Sequence, residues 1–429
     1  MSHQTIGPER AVLYTMPSLP SDVLRTMEFD QFFEGYHGAP FCVSTRDGWR
    51  WSSAGFRPPV ATVVFRSRSK LDGVINDAGE STFGRFFLEG ELDIQGDVSA
   101  LLSVAEYVLR HSGQLSRTLV HTLVHASLEL SRRLKTGIRG RGITNRSLIK
   151  ESADLPVKFF EQWLGPTLGH FCARFESTEE NLERAQRRSL DAVCDALELE
   201  RDDRLLEIGC GWGSLLLHSA AQYKTNAQGT AWSAEQAEAI NGRIRANDLQ
   251  MRCHAEYRDL RAAPYPRASF DKIAEVGIFE QVDYRRLREH LVLMRRMLRP
   301  NGMLLLHRIT RSPEVKPHKN ASLYSDMFLE GELAPLSKEL EASENAGLEV
   351  CSVQNIGRDY ERTLRLWIQK LQRSVQNRGA FSSRGYRVWL LYLVDVAAAI
   401  QAGDLQIQQL LLRVPACQNQ AAVQMRWAS

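Results

Sequence analysis

Arg204-Leu205-Leu206-Glu207-Ile208-Gly209-Cys210-Gly211-Trp212-Gly213-Ser214 is a short apolar run that ends on an acid and turns through three glycines at alternate positions. It then enters the helical pattern Leu215-Leu216-Leu217-His218-Ser219-Ala220. The pattern predicts a buried strand, a tight loop and the start of a helix. Glycines in such a loop let backbone approach a ligand where a Cβ would collide. Alternating glycines also occur in ordinary turns, so spacing alone leaves a nucleotide-like ligand and a plain turn both open.

Outward from this loop, strand and helix patterns alternate between about 150 and 312. Residues 226–232 read as a second strand, closed by Ser233-Ala234-Glu235-Gln236, a Ser-x-x-Gln helix cap. Residues 270–276 read as a later strand, and 299–302 turn into the buried strand Met303-Leu304-Leu305-Leu306-His307. Such alternation predicts a doubly wound α/β sheet with its ligands at the carboxyl ends of the strands. The glycine loop, Ser233, residues 277–280 and His307 all fall at such ends. From about Asp359 onward the pattern is mostly helical.

The first 130 residues read as a small α+β domain without a catalytic motif. Ala61-Thr62-Val63-Val64-Phe65 is strand-like, residues 84–94 read as strand, turn and strand, and 98–109 as a helix. Residues 131–150 carry basic and glycine-rich sequence without periodicity and read as a linker. Its cations suit either plain solvation or contact with anionic lipid headgroups.

Composition bounds the function. The 429 residues have 43% hydrophobic and 24% charged content, ordinary for a globular protein with room for two or three domains. A net charge of +3 gives no argument for nucleic acid. Seven scattered cysteines without a Cys-x-x-Cys pair disfavour a disulfide framework or a metal site and suit a reducing cytoplasm. The amino terminus lacks a signal pattern, and the longest apolar stretch, 389–400, is interrupted by Asp395 and too short to span a bilayer. Membrane contact is therefore expected to be peripheral.

The segment 206–213, followed by Thr230-Ala231-Trp232-Ser233-Ala234-Glu235-Gln236, resembles the cyclopropane-fatty-acyl-phospholipid and mycolic acid cyclopropane synthases. Glu256-Tyr257-Arg258-Asp259-Leu260, Val276-Gly277-Ile278-Phe279-Glu280, Leu304-Leu305-Leu306-His307 and Asp359-Tyr360-Glu361-Arg362-Thr363-Leu364 extend the resemblance, as do 159–175 and 182–186. It covers about 140 to 410. It implies a class I methyltransferase-like doubly wound sheet with a small N-terminal α+β domain and a C-terminal helical region. It also implies S-adenosylmethionine as cofactor, and methyl transfer to the double bond of an unsaturated phospholipid acyl chain with closure to a cyclopropane.

Position by position, the resemblance implies that Gly209, Gly211 and Gly213 floor the cofactor pocket below Glu207. Thr230, Ser233 and Gln236 would surround its ribose end, and Tyr257 and Arg258 its adenine. Val276 and Gly277 would close it near the sulfonium, and Phe171 would also bind the cofactor. Considered alone, Tyr257 and Trp232 would be core aromatics. A bicarbonate ion, held by Cys172, Glu280, His307 and a tyrosine, would take the proton from the developing carbocation. Either a shared proton or a positively charged His307 would offset the carboxylate of Glu280.

The chain departs from the family pattern in places. Only Asp154 remains of the motif before the cysteine, and His170-Phe171 stands where the family has Tyr-Ser. Gln281 follows Glu280, and Val396 replaces a cysteine. Alignment puts the bicarbonate tyrosine on Asp326, with Tyr324 two residues away as its substitute. Three readings follow: a cyclopropane synthase, a methyltransferase leaving a methylene or methyl branch, and a non-catalytic lipid-binding subunit. The resemblance also suggests a homodimer; the 1–130 domain with the basic linker is the candidate for docking at the inner face of the cytoplasmic membrane, and 151–429 for catalysis.

Overall fold

A computed structural model describes residues 21–53, 57–76, 81–101, 103, 104, 107, 155–276, 284–314, 333–378 and 383–416. Gly277, Glu280, Tyr324 and the basic segment 131–150 lie outside the described residues.

The N-terminal part is a four-stranded sheet of order β2-β1-β3-β4, from β1 (Phe41–Thr45), β2 (Arg50–Ser52), β3 (Ala61–Phe65) and β4 (Leu92–Gly96). Helices α1 (Ser21–Phe32), α2 (Arg68–Asn76) and α3 (Ser81–Glu89) accompany it. Helix α3 corrects the expected strand at the start of 84–94. Phe86 and Phe87 are both buried while Arg85 is exposed. Adjacent buried residues fit one face of a helix, whereas a strand would send them to opposite sides.

The second sheet has order β10-β11-β9-β8-β5-β6-β7. Its strands are β5 (Arg204–Glu207), β6 (Asn226–Ala231), β7 (Cys253–Tyr257), β8 (Phe270–Glu275), β9 (Leu298–Arg311), β10 (Glu349–Asn355) and β11 (Leu405–Arg413). Strands β5 to β9 pair in parallel, and β11 runs antiparallel between β9 and β10. This is the doubly wound order expected, with its switch point at β5. The expected helical end is closed by β11, whose Ile407, Leu410 and Leu412 are buried. Its three glutamines, Gln406, Gln408 and Gln409, blunt the apolar strand signal that a buried central strand normally carries.

Helices α4 (Val157–Leu164) and α5 (Leu182–Ala196) precede β5. Helices α6 (Ser214–His218), α7 (Ala234–Ala246), α8 (Leu287–Met297) and α9 (Leu336–Asn345) link or flank the strands. Two long helices, α10 (Gly357–Arg378) and α11 (Ser383–Ala402), complete the fold. One hydrophobic cluster runs from Phe29, Phe33, Trp49 and Trp51 of the N-terminal part through Trp163 to Trp367 and Trp389 of α10 and α11. The N-terminal aromatics are therefore core and not an exposed patch. Among the described residues no helix is long and apolar enough to cross a membrane.

Candidate functional site

The glycine loop leaves β5 with left-handed backbone at Gly211 (φ +53°) and Gly213 (φ +78°). The two glycines serve different ends. A Cβ on Gly213 would sit 2.7 Å from Ile240 Cγ2, so this glycine lets α6 pack on α7. A Cβ on Gly211 would meet open space, so the loop is open on this side, at the carboxyl end of the sheet.

Neighbouring strands hold the loop in shape. Thr230 Oγ1 accepts from the Gly209 amide at 3.0 Å, and the Thr230 carbonyl accepts from Cys210 at 2.9 Å. Ser233 caps α7 by accepting from the Gln236 amide at 3.1 Å. Gln236 accepts from Trp232 N at 2.8 Å and donates to Gly211 O at 2.9 Å. Thr230 and Gln236 are thus committed to framing the loop. Glu207 lies beneath it, buried, and burial pushes its carboxyl up to about 8 although the Leu216 amide favours the charged form.

The cleft's other side carries two exposed aromatics. Trp232 is 46% and Tyr257 62% exposed, one following β6 and the other ending β7, with Ala231 and Tyr257 in register. Neither is a core residue. Arg258 turns away from the cleft: its Nε donates to Glu256 at 2.9 Å and its guanidinium stacks 4.4 Å from the Tyr265 ring centroid. The side chains of Val276 and Phe171 are buried in the core that contains Cys210 and Leu215.

Across the cleft, Cys172 and His307 come together through two residues that sequence reading overlooked. Gln409 Oε1 accepts from Arg174 Nη2 at 3.0 Å and lies 3.1 Å from His307 Nε2. His307 is buried, and desolvation drives its pKa down to about 4, with Arg174 adding to the effect against the Gln409 hydrogen bond. Burial therefore favours the neutral imidazole, which of the two expectations for offsetting Glu280 supports the shared proton. Arg174 supplies the positive charge of this neighbourhood. Cys172 is sealed, its thiol raised well above the usual range by burial and donating to Ala173 O at 3.4 Å and Ile356 O at 3.6 Å.

Helix α10 closes this side. Thr363 Oγ1 accepts from Ala173 N at 3.1 Å, and Tyr360 N donates to the same Ile356 carbonyl that takes the Cys172 thiol. Tyr360 is fully buried in the core it shares with Cys172 and Ile309. It is the described tyrosine next to the Cys172 loop, and it lay inside a motif already noted. His170 stacks on Trp367 at 5.2 Å and meets Trp163 and Trp389 edge-on, and burial lowers its pKa to about 4. A separate polar groove of about 870 Å³, lined by Arg187, Asp191, His218 and Arg243, runs along α5 to α7 and contains none of the cleft residues.

The family model for mycolic acid cyclopropane synthetase matches residues 141–410, which span the loop, Cys172, His307 and Tyr360. The chain belongs to this family. A probable fatty acid methyltransferase of Pseudomonas putida is 27% identical over 372 residues, covering 86% of this chain and 91% of the relative. The cyclopropane-fatty-acyl-phospholipid synthase of Escherichia coli K12 is 30% identical over 266 residues, 61% of this chain and 66% of that one. A cyclopropane synthase structure from Mycobacterium tuberculosis superposes with a TM-score of 0.56 at 26% identity, covering 62% of this chain and 97% of that one. A mycolic acid cyclopropane synthase solved with SAH and CTAB has the same score at 25% identity, again covering 62% and 97%.

As a cyclopropane-synthase family member the chain is an S-adenosylmethionine-dependent C-methyltransferase. The site fits that cofactor: Gly211 leaves open the space that a side chain would fill, and Trp232 and Tyr257 present aromatic faces beside it.

Proposed function

We propose that this protein methylates the double bond of an unsaturated phospholipid acyl chain and closes it to a cyclopropane. The observation that carries this reading is the pairing of an open, aromatic-flanked cofactor cleft with a sealed layer of Cys172, His307 and Tyr360 across it. Bound S-adenosylmethionine supplies an activated methyl group. Gly209, Gly211 and Gly213 would hold the cofactor closely, and Trp232 and Tyr257 would offer their faces to its adenine.

An alkene is a weak nucleophile, and methylation leaves a carbocation on the acyl chain. The buried surround of Cys172, Phe171 and Tyr360 excludes the water that would trap it. A base must then remove a proton from the added carbon. The charge of Arg174 would attract a small anion, and the neutral ring of His307 would accept or orient a proton. A bicarbonate there would be held by Arg174, His307 and Tyr360 together with Glu280. We assign the tyrosine role to Tyr360, in place of Tyr324, because of its position against Cys172.

The experiment is incubation with methyl-labelled S-adenosylmethionine and unsaturated phospholipid vesicles, followed by mass spectrometry of the released fatty acids. A labelled chain heavier by one CH2, with fragmentation typical of a ring, is expected. A branched product would establish the methylene or methyl outcome instead, and cofactor binding without any labelled lipid would overturn the phospholipid substrate.

The N-terminal domain with the basic segment docks the enzyme, as a homodimer, on the inner membrane face. Arg139 and Arg141 are two positions apart in the sequence there. Their joint replacement by glutamate is expected to weaken binding to anionic vesicles in low salt, each charge contributing about 1 kcal/mol. Unchanged cosedimentation at low salt would reject this role.

A further inference from the structure

The polar groove along α5 to α7 is lined by three basic side chains, and their partners differ. Arg187 pairs with Glu183 and His218 with Asp191. Arg243 of α7 is half-buried and forms no ion pair with a described residue. Its guanidinium donates instead to two backbone carbonyls, Nη1 to Trp212 O and Nη2 to Thr167 O at 3.4 Å. Burial lowers its pKa, and the charge of Glu161 opposes that shift.

The two carbonyls belong to different sides of the cleft. Trp212 stands between Gly211 and Gly213 in the cofactor loop, with its ring 5.1 Å from that of Phe160 in α4. Thr167 lies on the segment that runs from α4 to Phe171 and Cys172. That segment is held along its length. Ser214 Oγ donates to Thr167 O at 2.7 Å, Thr167 Oγ1 donates to Gln186 at 2.9 Å, and Gln186 Nε2 donates to Gly169 O at 3.0 Å. Arg243 grips the cofactor loop and this segment at once. A planar guanidinium suits the task, because its donors diverge in a fixed fork. Desolvating a cation without a counter-ion is costly, so stability alone gives no reason for one here.

We infer that Arg243 is a positioning residue, which fixes the S-adenosylmethionine loop relative to the Phe171–Cys172 segment and so sets the approach of the methyl donor to the acceptor carbon. The inference rests on the proposal that Cys172 marks the acceptor side. Arg243 acts through Trp212 and Thr167, from a groove that contains none of the cleft residues. The need is strict, because a displacement of about 1 Å in a reacting group costs up to ~100-fold in rate.

The test is Arg243→Met, which keeps an unbranched stem and removes both donors. It strands no ion-pair partner among the described residues, and Thr167 O retains Ser214 Oγ. At saturating cofactor and unsaturated phospholipid vesicles its kcat is expected to fall by about tenfold or more, with the lipid KM unchanged. Its S-adenosylmethionine affinity is expected to weaken several-fold, because Trp212 O loses its tie. Arg243→Lys, whose single ammonium lacks the fork, is expected to lose less. Ser214→Ala loosens the same Thr167 carbonyl, so its effect and that of Arg243→Met are expected to be non-additive in the double variant. A purely structural role would lower the denaturation midpoint and leave kcat of the folded protein at the parent value. Parent-like kcat in folded Arg243→Met would therefore overturn the inference. Should that variant not fold, Arg243→Lys and Ser214→Ala decide by the same kcat readout. Should the parent itself label no phospholipid, the substrate proposal fails, and unaltered cofactor affinity in Arg243→Met would then overturn the positioning role.

Discussion

Glu207 shows how one residue can serve a ligand loop without facing the ligand. It ends β5 inside the core, with Cys194, Cys210 and Cys253 close enough to feel its charge. Burial holds its carboxyl near 8, so the folded protein keeps a proton that the unfolded chain has lost. The stability this provides is fully present below the ordinary carboxyl range near 4.5 and disappears as pH rises through 8. Glu207→Gln mimics the protonated acid, so its advantage over the parent is expected to grow between pH 5 and pH 8, at about 1.4 kcal/mol per pKa unit. Denaturant midpoints at the two pH values measure this. An advantage equal at both would mean that Glu207 is ionised in the fold. His307 has the opposite sign: its lowered pKa favours the neutral ring, and stability is lost as pH falls from about 6.5 toward 4.

At the scale of elements, the strand ends make the cleft. Parallel pairing of β6 with β7 brings Trp232 and Tyr257 to the same edge, although the chain separates them by a whole helix. Their exposure means that neither holds the fold together. Trp232→Ala and Tyr257→Ala are each expected to change stability by less than about 0.5 kcal/mol. Loss of stacking worth about 1 kcal/mol would weaken cofactor binding several-fold. Thermal melts beside calorimetric titration with S-adenosylmethionine separate the two quantities. Unaltered affinity in both variants would place the adenine elsewhere. Strand β11 matters in the same way, because only its insertion between β9 and β10 sets Gln409 beside His307.

For the whole molecule, the N-terminal sheet is wired into the C-terminal helices. Arg387 of α11 donates to the carbonyls of Phe87 at 2.9 Å and Leu92 at 3.1 Å, and stacks on the Phe87 ring. Gln372 of α10 donates to Gly96 O at 2.9 Å and accepts from Val98 N at 3.2 Å. These bonds lie over one continuous aromatic core. Arg387→Ala is therefore expected to speed amide hydrogen exchange in β4 and in α11 together. Acceleration confined to β4 would show that the two parts open independently. A lipid-docking movement at the N-terminal sheet would, by the same wiring, be felt at α10, which carries Tyr360.

Read alone, residues 150–312 were enough to predict a doubly wound sheet with a ligand loop at the carboxyl end of a strand, because glycine spacing, apolar runs and a helix cap are local features. The motif order also sufficed to identify the family. Local pattern could not separate α3 from a strand, since a run as short as Phe86-Phe87-Leu88 suits either until burial is known. It could not reveal β11, a strand whose first half is interrupted by Gln406, Gln408 and Gln409. Nor could it pair Arg174 with Gln409, set Tyr360 against Cys172, or give His307 its neutral state. Each of those depends on which distant segments exclude water from one another, and desolvation is a property of the assembled fold.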